Sequence, residues 1–168
     1  MTASTAKRSI LYRFDRQPFE VLVSAGTYLY EQEIECITPD GLLHRVPFDQ
    51  VKALCFFSEP GSADLFTAHR LFERRPKVPG LWTRFTFKDG DLLDGILSHN
   101  LLEWPLAGYL ITPPRAGSAR QRVFIPRTAV MGTELRGVVG RSAVASRQRT
   151  QQPQGELDDA RAQLRMFD

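Results

Sequence analysis

The sequence predicts an all-β protein built from two tandem small β-barrels, followed by a disordered C-terminal tail. Three observations predict this fold: short alternating apolar runs, turn residues between them, and a series of motifs that occurs once in each half. With 168 residues, 42% of them hydrophobic, the chain has room for one ordinary domain or two very small ones. The predicted units are a flexible N-terminus (1–9), a first barrel (10–58), a linker (59–79), a second barrel (80–140), a tether (141–161) and a terminal peptide (162–168).

Each predicted barrel begins with an apolar run of strand type. The residues are Phe19, Val21 and Val23 in the first half and Trp82, Phe85 and Phe87 in the second. Asp89-Gly90 follows the second run and predicts a hairpin, because glycine accepts a positive φ. Gly95 lies in the next run, where it would permit the bend of a barrel corner.

The repeat is clearest around two prolines. Ile37-Thr38-Pro39 precedes Val46-Pro47-Phe48-Asp49-Gln50-Val51, and Ile111-Thr112-Pro113 precedes Ile125-Pro126-Arg127-Thr128-Ala129-Val130. Proline fixes φ and lacks a donor, so we expect a strand to give way to one 3₁₀ turn after each Val-Pro or Ile-Pro pair. The last strands of the two barrels are predicted at residues 51–57 and 134–139.

The second half resembles the opening strands of Sm-like and SH3-like barrels. The stretch WTRFTFKDGDLLDGIL places Gly90, Leu92, Gly95 and Leu97 at the rhythm of that fold. Sm proteins bind RNA through a loop that contains an aspartate and ends in an asparagine. Here the equivalent stretch, Ser98-His99-Asn100, keeps the asparagine and lacks the aspartate.

The linker at residues 59–79 fits either a short helix or an edge strand, and periodicity does not decide between them. It also contains Arg70-Leu71-Phe72-Glu73-Arg74, which is similar to the Arg-x-x-x-Arg arm by which PilZ domains bind cyclic di-GMP. PilZ domains also carry a second motif, Asp/Asn-x-Ser-x-x-Gly. Counted back from Gly95, this sequence has Leu92 at the serine position and Gly90 at the acidic position. A PilZ-like cyclic di-GMP receptor is therefore the least favoured of the three functions that we consider.

Two arginine-rich stretches, 70–88 and 115–127, predict a nucleic-acid-binding surface, although the net charge is only +3. Solvated loops and strand faces would give the same pattern. An Sm-like RNA- or DNA-binding protein is thus an alternative function. Its candidate residues are Arg70, Arg74, Arg75, Lys77, Arg84, Lys88, Arg115, Arg120, Arg122 and Arg127.

The sequence offers no constellation that points to catalysis. His44, His69 and His99 are not at metal-ligand spacing, and no nucleophile motif or phosphate-binding glycine loop is present. Cys36 and Cys55 are predicted to be buried free thiols. We therefore expect a non-enzymatic protein without metal or cofactor. The polar N-terminus and the lack of a long apolar run favour a cytoplasmic location.

The last seven residues, AQLRMFD, follow a polar stretch whose composition predicts a flexible tether. Gln163-Leu164-Arg165-Met166-Phe167 resembles the Gln-Leu-x-Leu-Phe peptide by which bacterial replication and repair proteins bind the DNA polymerase III β sliding clamp. The resemblance implies an adaptor with Gln163, Leu164, Met166 and Phe167 as partner-binding residues, and with barrels that bind another partner or nucleic acid. Residues 156–167 also fit an amphipathic helix that docks on the barrels.

Overall fold

The computed structural model describes residues 6–57, 65–67, 70–114 and 121–140, and its regular structure consists of strands and single 3₁₀ turns. The first half contains β1 (Ala6–Arg13), β2 (Phe19–Ser24), β3 (Leu29–Tyr30), β4 (Glu33–Ile37), β5 (Leu43–Pro47), the 3₁₀ turn Phe48–Gln50 and β6 (Val51–Phe56). The second half contains β7 (Gly80–Phe87), β8 (Leu92–Leu97), the 3₁₀ turn Leu101–Glu103, β9 (Gly108–Ile111), β10 (Arg122–Pro126), the 3₁₀ turn Arg127–Ala129 and β11 (Val130–Val139). The predicted all-β class is confirmed.

The strands form two sheets, and the larger one crosses from the first half into the second. Its eight strands run in the order β3-β4-β2-β1-β6-β10-β9, and β5 pairs with β4. The smaller sheet has the order β11-β7-β8. An antiparallel bridge between Ile96 and Thr112, with N···O distances of 2.9 and 3.0 Å, connects the two sheets. The two predicted barrels thus share one curled sheet, because β9 and β10 extend it beyond β6.

The repeat seen in the sequence recurs in the strand pairing. The hairpin β1-β2 corresponds to β7-β8, β4-β5 to β9-β10, and the pair β1-β6 to β7-β11. The pairs β1-β6 and β7-β11 have a bulge at the same place. It lies opposite Tyr12 and Arg13 in the first half and opposite Thr86 and Phe87 in the second. The 3₁₀ turns after Pro47 and Pro126 are confirmed.

One part of the predicted repeat is displaced by a residue. Leu22 pairs with Ile37 in the first half, and its counterpart Ile96 pairs with Thr112 in the second. The equivalent of Ile37 is therefore Thr112, whereas the Ile-Thr-Pro match had aligned it with Ile111. The loops that precede the prolines differ in length, so matching letters there do not fix matching positions in the sheet.

Two buried clusters form the core, and each draws on both halves. The first packs residues of β1, β2, β4 and β6 around the ring of Phe124, which comes from β10. The second packs residues of β7, β8, β9 and β10 against Tyr12, Ala53 and Cys55 of the first half. A fully buried phenylalanine contributes roughly 2 to 3 kcal/mol to stability, so Phe124 is a substantial part of what holds the halves together.

Two glycines are required for different reasons, one for backbone freedom as predicted and the other for close packing, where the sequence predicts a bend. Gly90 has φ of 86° in the Asp-Gly turn between β7 and β8, as the sequence predicts. Gly95 lies within β8, and a Cβ added there would come within 2.4 Å of Ile111 Cδ1. Its role is therefore to let β9 pack closely.

The N-terminal boundary differs from the prediction, and the linker contacts both halves. β1 begins at Ala6, so residues 6–9 belong to a strand and not to a flexible end. In the linker, Leu65 is buried and its amide donates to Tyr12 Oη at 3.1 Å, and the carbonyl of Arg70 accepts from the amide of Asp94 at 2.8 Å. The predicted tether (141–161) and terminal peptide (162–168) lie outside the described residues.

Candidate binding site

A buried carboxylate on β8 accounts for one of the candidate arginines. Asp94 is fully buried and accepts two hydrogen bonds from Arg84, at 2.7 and 3.2 Å. It also accepts from the Trp82 indole and from the Phe72 amide, each at 3.1 Å. The pairing with Asp94 raises the pKa of Arg84. The guanidinium of Arg84 thus forms a structural ion pair with Asp94, and we interpret Arg84 as a structural residue and not as a ligand-binding one.

A buried lysine connects β6 to the hairpin between β7 and β8. Lys52 is 6% exposed, and its ammonium lies 2.5 Å from carboxylate oxygens of both Asp89 and Asp91. The ammonium also lies 4.1 Å from the centre of the Phe66 ring, a cation–π geometry. Arg70 joins the group at 3.3 Å from Asp91. These contacts explain the cluster of aspartates around the turn, and they occupy Arg70.

Two further candidates, Arg75 and Arg127, contact the backbone. Arg75 donates to the carbonyl of Val138 at 2.8 Å. Arg127 donates to the carbonyl of Leu106 at 3.2 Å and lies over the Tyr109 ring, 5.0 Å from its centre. Both side chains remain exposed at the surface. Their contacts hold loops in place and leave part of each guanidinium open to water.

The remaining candidates are divided between exposed positions and residues outside the description. Arg74 and Lys77 are exposed on the linker, Lys88 is exposed beside the hairpin, and Arg122 is exposed on β10. Arg115 and Arg120 lie outside the described residues. In the part of the chain that is described, the exposed candidates are therefore found on the linker, beside the β7-β8 hairpin and on β10.

Arg122 lies at a cleft that combines cations with aromatic rings. We name it the aromatic cleft. It has a volume of about 360 Å³ and is formed by β1, β6, β9, β10 and the turn after β2. The lining residues are Lys7, Ala25, Tyr28, Phe56, Phe57, Leu110 and Arg122.

The register of the large sheet assembles this cleft. Arg122 of β10 lies directly opposite Phe56 of β6, and Ser9 of β1 lies opposite Phe56 on its other side. The amide of Phe57 donates to the carbonyl of Arg8 at 3.3 Å, which brings the start of β1 alongside the end of β6. The cations at the ends of β1 and β10 are thereby placed on either side of the rings of β6.

The rings of the cleft are fixed by edge contacts. Tyr28 and Phe56 meet edge to face with their centres 5.1 Å apart, and the Arg8 guanidinium lies 5.5 Å from the centre of the Phe57 ring. Burial raises the pKa of Tyr28 to about 12, and the charge of Arg122 opposes that rise. The phenol is therefore a neutral hydrogen-bonding group throughout the physiological range. Exposed cations beside apolar walls suit a ligand with an aromatic face and a negative charge.

A second cleft, of about 670 Å³, lies where the 3₁₀ turns of the two halves meet. Its lining includes Glu31, Glu33 and Asp49, with Arg127 as its cation. Glu31 has φ of 44°, an uncommon value for a residue other than glycine. Within the described ranges, no group of three or more His, Cys, Asp or Glu side chains is placed to hold a metal ion. The acidic lining disfavours phosphate, so we do not take this cleft as the anion site.

The thiols and imidazoles of the described residues are dispersed. Cys36 and Cys55 are buried free cysteines, as predicted, and burial raises the pKa of Cys55 to about 12. His44 and His99 are exposed, while His69 lies outside the description.

Asn100, the residue that Sm-like proteins would use for RNA, accepts from the Leu102 amide at 3.2 Å and caps the 3₁₀ turn. The helices of the described residues include none that is long and apolar enough to cross a membrane.

A model of a protein family of unknown function, DUF6982, matches residues 5–137. The chain belongs to this family. The matched part of this DUF6982 member contains both buried clusters and the aromatic cleft, and it ends before the tail with Gln163, Leu164, Met166 and Phe167. Comparison with curated proteins and with solved structures gave no match.

Sequence reasoning identified Arg122 but missed the other side chains of the aromatic cleft. Lys7 precedes the predicted first barrel and was assigned to a flexible end. Tyr28 and Phe56 were available as aromatic residues near strand ends, but nothing in the sequence places them beside Arg122. That proximity depends on the pairing of β6 with β10, which joins residues distant in the chain.

Proposed function

We propose that the protein is a non-enzymatic adaptor, with two small barrel-like halves that bind a partner or nucleic acid and a C-terminal peptide that binds the β sliding clamp. The observation that carries this proposal is the pentad Gln163-Leu164-Arg165-Met166-Phe167. In a clamp-binding peptide the leucine, methionine and phenylalanine side chains fill an apolar pocket and the glutamine amide reaches a polar subsite. A polar tether between residues 141 and 161 would let the halves act at a distance from the clamp.

Clamp binding is tested with the full chain and purified bacterial β clamp. We expect measurable binding by surface plasmon resonance, and a loss of at least about tenfold in affinity for Leu164→Ala combined with Phe167→Ala. Arg165→Ala is the matched control, because Arg165 occupies the free position of the motif and its replacement should leave the affinity unchanged. Retention of affinity by the double variant, or absence of binding by the intact chain, would refute the proposal.

A peptide of residues 162–168 tests whether the pentad is sufficient for clamp binding. As an isolated peptide it should compete with the full chain for the clamp. Failure to compete would show that the pentad alone does not bind.

A second candidate function, binding of single-stranded nucleic acid, is favoured by the aromatic cleft. Lys7 and Arg122 supply two exposed cations, and Phe56 and Leu110 are only half-buried, so part of their apolar surface remains available to a base. Proteins that bind single strands combine this kind of cationic groove with base stacking. Phosphate contacts make the affinity fall with salt, with a slope of about 0.7 per contact on single strands.

This function is tested by fluorescence anisotropy with a labelled single-stranded oligonucleotide at several salt concentrations. Lys7→Glu combined with Arg122→Glu should weaken binding and reduce the salt slope by about 1.4, the value for two lost contacts. Arg74→Glu combined with Lys77→Glu makes the same change in charge away from the cleft and should leave the slope nearly unchanged. A salt-independent affinity would exclude nucleic-acid binding. A larger effect from the linker pair would assign the binding to the linker and not to the cleft.

A further inference from the structure

The contact that joins the two halves uses one strand edge from each, and the equivalent edges pair with no further strand among the described residues. The joining pairs are Phe56–Arg122, Cys55–Val123 and Leu54–Phe124. The repeat aligns Pro47 with Pro126, so β5 corresponds to β10 and β11 corresponds to β6. Among the described residues, β5 pairs with β4 alone and β11 pairs with β7 alone.

We infer that a second copy of the chain pairs its β5 with the open edge of β11, repeating between copies the contact that joins β10 to β6 within the chain. The register of this contact follows from the β6-β10 register when each residue is replaced by its counterpart in the other half. The pairs that it places opposite one another are Leu43–Leu135, His44–Glu134 and Arg45–Thr133. This assignment of an interaction surface is independent of the clamp peptide and of the aromatic cleft.

The paired residues are chemically complementary. Leu43 and Leu135 are each 61% exposed, a large fraction for leucine, and the transferred register sets them against each other. His44 and Glu134 are both exposed, so an imidazole N–H would face a carboxylate. Open strand edges also present backbone donors and acceptors that a further strand can satisfy. The apolar and polar side chains thus support the same register, and the backbone groups support pairing at these edges.

The contact between copies should be weaker than the one within the chain. Phe124 fills the core of the first half, whereas its counterpart Arg45 is exposed, pairs with Glu35 at 3.0 Å and stacks on Tyr30 at 4.0 Å. On β11, Thr133 and Glu134 stand where β6 has Leu54 and Cys55. The contact therefore lacks a large buried ring, and we expect association that depends on protein concentration.

The contact is head to tail, since the two edges that meet are different. Each copy offers one β5 edge and one β11 edge, so addition of copies continues until a ring closes or a fibre grows. This asymmetry makes the interface testable by mixing variants. A copy with a blocked β5 and a copy with a blocked β11 retain one compatible pair of edges between them.

The test is sedimentation velocity of the full chain over a range of concentrations. Leu43→Asp blocks the β5 edge and Leu135→Asp blocks the β11 edge. The intact chain should increase in mass with concentration, each variant alone should remain a monomer, and an equimolar mixture should stop at a dimer. Thermal unfolding by circular dichroism should show that both variants fold like the intact chain, because both leucines are exposed.

Two further variants test the register and the place of the contact. His44→Glu should lower the association constant about tenfold through repulsion from Glu134, and Glu134→Lys in the same chain should restore it. Leu102→Asp is the control, since Leu102 is 95% exposed on a 3₁₀ turn away from both edges, and it should not affect association. The proposal is overturned if the intact chain stays monomeric, if the mixture fails to dimerise, if the charge exchange does not restore association, or if Leu102→Asp alone abolishes it.

Discussion

Replacement of Asp94 by alanine should destabilise the protein by about 3 kcal/mol. The carboxylate is fully buried and accepts two hydrogen bonds from Arg84, one from the Trp82 indole and one from the Phe72 amide, so its loss leaves four N–H donors without their acceptor. Loss of one partner from a buried ion pair costs roughly 3 to 5 kcal/mol. The Arg84 side chain keeps 23% of its exposure and can recover some hydration, which places the expected value at the lower end.

The repeat provides a matched control for this variant. Glu20 occupies the position in β2 that Asp94 occupies in β8, but it pairs with Arg8 at 2.9 Å while both side chains are about half exposed. Glu20→Ala should therefore cost less than about 0.5 kcal/mol. Urea unfolding followed by circular dichroism measures both values. A cost below about 1 kcal/mol for Asp94→Ala, or one equal to that of Glu20→Ala, would contradict the structural role assigned to this carboxylate.

Three further predictions concern packing, pH and the buried lysine. Gly95→Ala should cost roughly 1 to 3 kcal/mol by chemical denaturation, because its Cβ would overlap the neighbouring isoleucine, while Gly132→Ala, with open space around it, should not. Burial raises the pKa of Cys55 from 9.0 and of Tyr28 from 10.0, each to about 12. The folded state therefore holds these protons longer than the unfolded state, so the free energy of unfolding should fall as pH rises from 9 to 12, and a flat profile would be inconsistent with burial. Lys52→Ala should lower the melting temperature more than Lys52→Met, because methionine fills the apolar space beside the Phe66 ring while the partly exposed aspartates reach water; equal effects would point to the ion pairs instead.

Local chemistry explains why much of the fold could be predicted. The Asp89-Gly90 turn, the 3₁₀ turns after Pro47 and Pro126, and the buried thiols all depend on residues within a few positions of one another. The sharing of one sheet between the halves could not be predicted in this way. It depends on which of several similar strand edges meet, and the repeat makes those edges alike.

In the candidate site too, features that depend on neighbouring residues could be predicted, and contacts that depend on strand pairing could not. Exposed arginines were recognised as possible ligands, but their sequence neighbours did not reveal that Arg84 pairs with Asp94 or that Arg70 pairs with Asp91. The aromatic cleft needs the ends of β1, β6 and β10 to come together. Only the tertiary pairing supplies that arrangement, so the pattern of charges along the chain did not reveal the aromatic residues beside Arg122.

The core of the first half includes Phe124 from the second half, and this has a consequence for folding during synthesis. When the first half has left the ribosome, Leu54 on β6 still lacks its cross-strand partner Phe124, which belongs to a segment made much later. An apolar surface and an open strand edge would be present during that interval, a period in which nascent proteins are prone to aggregate. The long separation between the pairing residues also slows folding. We therefore expect the first half, made without β10, to aggregate more readily than the complete chain.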